Sequence, residues 1–182
     1  ILGEGFTNGL TGGKTPPRPA EAIPKLTYAG DTMALHVKGR HARLGHPVAA
    51  HTGGDTYVVF PALGVMHVGD TFPNKDLPIM DKNNGGSGVE IGSTIAKAHC
   101  ALSKAADTFV TGHSTTMTPA EILEYAQFNR EFATTAQDAK KAGRSVEEVV
   151  KSWTMPAKYQ GYAAAQEARL RSNVQVIYDE TK

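Results

Sequence analysis

Three capping boxes divide this chain of 182 residues into two kinds of territory. Ser87-Gly88-Val89-Glu90, Thr118-Pro119-Ala120-Glu121 and Ser145-Val146-Glu147-Glu148 each carry Ser or Thr three residues ahead of Glu. In that pattern the hydroxyl and the carboxylate satisfy the free N–H groups of a helix start. Each box is followed by apolar residues at helical spacing, such as Ile91, Ile95, Ala98 and Leu102, or Ile122, Tyr125, Phe128 and Phe132. The second helix should stop near Gly143 and the third at Pro156. Residues 158–177, rich in Ala and Arg, read as a further helix.

Ahead of the first box the signals are for strands. Leu26–Tyr28, Met33–Val37, Tyr57–Phe60 and Val65–Val68 are short apolar runs bounded by Gly and Pro. The last two are close enough to form a hairpin, and Asp107–Thr111 is one more strand between helices. Strands, then helix, strand and helices, predict a layered α/β or α+β domain with helices on a sheet face. Residues 1–24 are crowded with Gly and Pro and read as a leader or linker, leaving 25–182 as the folded part.

Composition excludes several functions. A net charge of +1 argues against nucleic acid as the main partner. The single cysteine, Cys100, rules out an internal disulfide framework and a cysteine-based zinc cluster within one chain. No apolar run reaches the roughly 20 residues of a membrane span. A soluble protein of the cytoplasm or periplasm is expected.

Histidine carries the chemistry. His36, His41, His46 and His51 recur every five residues. An odd spacing sends successive side chains to opposite faces of a regular strand, so the four cannot line one site. The first three read as exposed or rim histidines, and His99, mid-helix, as facing solvent or a helix contact. Three other positions share one grammar. His51 lies in Ala50-His51-Thr52-Gly53-Gly54-Asp55 before a strand, Asp70 follows Val68-Gly69 after the next, and His113 follows Thr111-Gly112 after the third. Strand ends hold side chains rigidly, and glycine lets the backbone bend close to a ligand. Imidazole with carboxylate suits zinc, or iron and manganese.

These residues reach a family. His51-Thr52-Gly53-Gly54-Asp55, Val59-Phe60-Pro61, Val65-Met66-His67-Val68-Gly69-Asp70, then Asp81 with Asn84-Gly85-Gly86-Ser87, and finally Val110-Thr111-Gly112-His113, together resemble the metallo-β-lactamase superfamily. The resemblance covers about residues 22–182 and implies the C-terminal portion of an αββα sandwich. It implies a site for two Zn2+ ions. His51 would complete a three-histidine site for the first, Asp70 would bridge both as the catalytic carboxylate, and His113 would bind the second. Thr52, Asp55 and Ser114 are candidates to orient those ligands, with a plain turn or cap role equally open. Asn84, Gly85 and Gly86 are candidates for substrate contact, with a helix-entry turn as the alternative. The implied reaction is attack of a metal-activated hydroxide on a small carbonyl substrate, a lactam, ester or thioester.

The chain departs from the family in two ways. Its His-x-His-x-Asp-His signature, which supplies the other ligands, is absent, and Thr111 replaces the usual Pro before Gly-His. The missing ligands are expected from an N-terminal half of the same domain, lying upstream or in a separate chain. The alternatives are another chain of a homo-oligomer, or a diverged, metal-free relative serving as a binding or structural subunit.

Overall fold

The computed structural model describes residues 5–7, 12–47 and 49–182. Near the N-terminus β1 (Phe6–Thr7) and β2 (Lys14–Thr15) form a small antiparallel ladder. The main sheet has five strands: β3 (Thr32–Val37), β4 (Arg40–Gly45), β5 (Tyr57–Phe60), β6 (Val65–Gly69) and β7 (Thr108–Thr111). They lie in chain order, β3-β4-β5-β6-β7, antiparallel except for the parallel pair β6–β7. That parallel pair needs a crossover, and α1 (Ile91–Leu102) lies within it. The later helices are α2 (Pro119–Lys141), α3 (Val146–Ser152) and α4 (Glu167–Glu180). This is a mixed α/β architecture, as the order of sequence signals predicts.

Alternation along the strands decides which face is buried. Tyr57, Val59, Met66, Val68 and Phe109 point to one face and are buried with Ile91 and Ile95 of α1 and Ile122, Tyr125 and Phe128 of α2. Cross-strand pairing puts Met33, Leu44, Val58, His67 and Val110 in one row on the opposite face. That row is half-buried at Met33, Leu44, Val58 and Val110 and exposed at His67.

Three local expectations change. Residues 26–28 form no strand. β4 was not expected, because Arg40-His41-Ala42-Arg43 has no apolar alternation; it forms because the Lys38-Gly39 turn folds it back on β3. The last helix begins at Glu167, well after residue 158. Gly161 sits at φ 78°, and the Ala163 N–H donates to the Lys75 carbonyl at 2.9 Å, so this stretch is tied to a loop instead of to itself. The Ile1 end of the leader lies outside the described residues.

The helix starts follow their boxes, with one variation. Thr118 and Ser145 complete reciprocal boxes with Glu121 and Glu148. At Ser87 the hydroxyl accepts from the Glu90 N–H, but the carboxylate comes from Glu180 at the end of α4, which accepts from Ser87 Oγ and Val89 N. The two helices are thereby joined end to end. α4 is also fastened to residues 76–78. Arg169 meets the buried Asp76 carboxylate at 2.7 Å, and Asn173 donates to the Pro78 carbonyl at 2.8 Å.

Candidate metal centre

The strand ends bring His51, Asp70 and His113 together. β6 ends at Gly69, whose φ of 55° is left-handed and turns the chain sharply into Asp70. The parallel ladder reaches Gly69 and Thr111, and beyond it the backbones stay laced: the N–H groups of Gly112 and His113 donate to the carbonyls of Phe72 and Pro73. His113 Nε2 comes to 3.2 Å from Asp70 Oδ1. His51 Nε2 lies 3.9 Å from Asp70 Oδ2. Each oxygen of one carboxylate therefore faces a different imidazole.

Gly112 makes this approach possible. A Cβ there would stand 2.0 Å from Asp70 Oδ1. Thr111 has its own role: its buried hydroxyl accepts from the Ser114 N–H and donates to the Thr115 carbonyl, closing the turn that carries His113. Ser114 thus serves the turn through its backbone.

His51 is held from behind. Its Nδ1 lies 2.5 Å from the Ile79 carbonyl. A carbonyl accepts only, so that nitrogen carries the proton and Nε2 presents its lone pair toward Asp70. A backbone carbonyl behind an imidazole is the usual means of orienting a metal-binding histidine. The Ile79 carbonyl is itself placed by the Asp76–Arg169 and Asn173–Pro78 ties to α4.

Thr52 and Asp55 shape the loop after His51. The Asp55 carboxylate accepts from the Thr52 N–H at 3.0 Å and the Thr52 hydroxyl at 2.9 Å. Neither side chain meets Asp70 or His113 in these contacts; they stiffen the loop. Asn84, Gly85 and Gly86 lie directly under it. Gly53 N–H donates to the Asn84 carbonyl, and Asp81 N–H to that of His51. A Cβ on Gly86 would meet the His51 carbonyl oxygen at 2.2 Å. The N–H groups of Asn84, Gly85 and Gly86 donate to Asp81 and Lys82 carbonyls, closing a turn.

A polar groove of about 460 Å³ opens beyond His113, walled by Asn74, Lys75, Ser114, Thr115, Thr116 and Glu121. Its ammonium, on Lys75, is 2.9 Å from Glu121 and 4.0 Å from Glu124, so its charge is matched locally. Lys75 was not singled out from sequence, whereas Gly112 was, as a glycine that lets the backbone bend close. Lys75 follows Asp70 by five residues, the only hint available.

The donor set fits a cation in part. Two imidazole Nε2 atoms flank a carboxylate that is 40% exposed, in the pattern of a bridging ligand. Among the described residues, no group of three or more His, Cys, Asp or Glu closes into a cluster able to hold a metal ion. By themselves these three side chains bring two imidazoles to one carboxylate.

Solved structures share this fold. The stereoselective inverting sec-alkylsulfatase Pisa1 from Pseudomonas sp. superposes with TM-score 0.70 over 92% of this chain, at 12% identity, and a double mutant of that enzyme matches equally. The chain spans 27% of the sulfatase's length. A metallo-β-lactamase from Pontibacter korlensis matches over 58% of this chain and 50% of its own, at 17% identity and TM-score 0.48. No family model and no curated protein matches the sequence. The fold is one this chain shares with the sulfatase over nearly its whole length. Among the described residues no helix is long and apolar enough to cross a membrane.

Proposed function

We propose that the chain is the C-terminal portion of a metal-dependent hydrolase, with His51, Asp70 and His113 as its share of a two-zinc site, iron or manganese being the alternatives. The observation that carries this reading is the carboxylate of Asp70, with one oxygen toward each imidazole. The remaining ligands come from an N-terminal half of the domain. The half-buried apolar row of Met33, Leu44, Val58 and Val110 supports that reading, because a second sheet laid over it would bury it.

His51, Asp70 and His113 would hold cations that would lower the pKa of a bound water toward neutrality and polarise the scissile bond. The chain's own part is positioning. The Ile79 carbonyl fixes the His51 tautomer, Gly112 admits Asp70, and the Thr111 hydroxyl fixes the turn carrying His113. The Thr52–Asp55 pair stiffens the His51 loop. Substrate enters as a small molecule. The resemblance favours a lactam, ester or thioester carbonyl, and the sulfatase relative adds an alkyl sulfate ester.

The test is turnover by the complete protein against a lactam, a thioester, a lactone and a secondary alkyl sulfate. At least one should be hydrolysed, lost on chelation and restored by Zn2+, and Asp70→Ala should lower the rate at least ~100-fold. Turnover that survives chelation or Asp70→Ala contradicts the reading. A protein that binds no metal and turns over none of the four is the non-catalytic subunit.

A further inference from the structure

The β3–β4 hairpin carries a second pair of histidines that the proposed centre does not use. His36 and His41 are five residues apart, and on one continuous strand they would point to opposite faces. The hairpin changes that. Lys38 and Gly39 form its two-residue turn, with φ of 48° and 75°. Two successive positive values are the signature of the type I′ turn, whose twist matches the flanking strands. Val37 and Arg40 flank the turn, and His36 then stands directly opposite His41. In an antiparallel ladder hydrogen-bonded and non-hydrogen-bonded pairs alternate. The pair next to a two-residue turn is hydrogen-bonded, so His36–His41 is the closer, non-hydrogen-bonded kind. The rings confirm the proximity: their centroids are 4.5 Å apart and their planes differ by 2°. Both residues are exposed.

We propose that His36 and His41 form a two-imidazole surface site for a borderline divalent cation, Cu2+, Ni2+ or Zn2+. Two imidazoles projecting side by side from paired strands are close enough to chelate. Rotation about their side-chain bonds out of the stack brings one nitrogen lone pair from each toward a shared ion at the bond length of about 2.0–2.1 Å that such ions take. Water completes the coordination. Imidazole selects these ions over Mg2+ and Ca2+, which prefer oxygen, and Cu2+ binds tightest among them. The surroundings reinforce that selection. Residues 32–54 contain no Asp or Glu, so this stretch has no carboxylate to attract a hard cation. Lys38 in the turn and Arg43, two residues along on the face of His41, repel any dication and restrict binding to ions with a strong imidazole preference. The site lies at the β3 edge of the sheet, with three strands between β3 and the β7 edge that leads to His113, and it does not depend on the hydrolase reading.

Copper titration followed by electron paramagnetic resonance tests it, using CuSO4 and the protein carrying His51→Ala and His113→Ala to weaken the other centre, with copper held there subtracted by comparison with the same protein also lacking His36 and His41. One Cu2+ per chain should bind with two imidazole nitrogens in its spectrum. Adding either His36→Ala or His41→Ala should weaken binding about tenfold or more and leave a single imidazole signal. Both side chains are exposed, so the metal-free thermal midpoint should not move. Affinity unchanged by both substitutions, or one imidazole in the parent spectrum, overturns the proposal.

Discussion

At the scale of single residues the candidate centre depends on what stands behind His51, Asp70 and His113. His51, Asp70 and His113 were legible from sequence because each sits beside a strand end in a Gly-containing context. Their supports were not. The Ile79 carbonyl is a backbone atom with no sequence signature, and sequence marks Gly112 as a place of close approach without showing that a Cβ there would meet Asp70 Oδ1 at 2.0 Å. Gly112→Ala should displace the Asp70 carboxylate, lower bound metal and destabilise the fold by about 1–3 kcal/mol, read by metal analysis and urea unfolding. Unchanged metal content would show that Asp70 can yield without loss. Arg169→Met leaves the Asp76 carboxylate, 6% exposed, without its cation. Its expected cost is about 3 kcal/mol or more. It should also loosen the segment that presents Ile79, seen as faster amide exchange over residues 76–80.

At the scale of elements, sequence spoke clearly wherever one short rule decides an outcome. The boxes at Thr118 and Ser145 start α2 and α3 where expected, and Thr118→Ala should cost about 1 kcal/mol in thermal or denaturant unfolding. The box at Ser87 is completed by Glu180, a partner more than ninety residues away, which local reading cannot reach. β4 was hidden for a related reason: a turn imposes it, and its own residues lack strand patterning. The same turn places His36 against His41. Glu121 adds a pH signature. The Thr118 N–H first, then Lys75, hold its carboxyl at about 2, below the ordinary 4.5. Burial raises Glu131, but Lys158, Tyr159 and Gln127 outweigh it and bring it also to about 2. Groups depressed on folding stabilise above their unfolded value, and that contribution is lost as pH falls through the folded one. Stability should therefore decline from about pH 4.5 toward pH 2, and Glu121→Gln should flatten that slope. An unaltered slope in Glu121→Gln would remove Glu121 from the account.

At the scale of the molecule, one sheet face is closed by α1 and α2 while the other keeps an apolar row half in water. The β6–α1–β7 crossover sets Asp70 and His113 side by side, and α4 ties down residues 76–78, next to the Ile79 carbonyl behind His51, which faces the other Asp70 oxygen. The layered fold was legible because helical and strand periodicities occupy separate stretches. Ligand convergence was not derivable from spacing alone, since it depends on which strands are neighbours. The proposed role of Asp70 is to serve two metal positions at once. The direct measurement is metal content of the complete protein, wild type against Asp70→Ala, by elemental analysis alongside circular dichroism. About two ions per chain are expected in the wild type, with loss of both in a variant that stays folded. A metal-free wild type, or a folded Asp70→Ala protein with its metal intact, would contradict it.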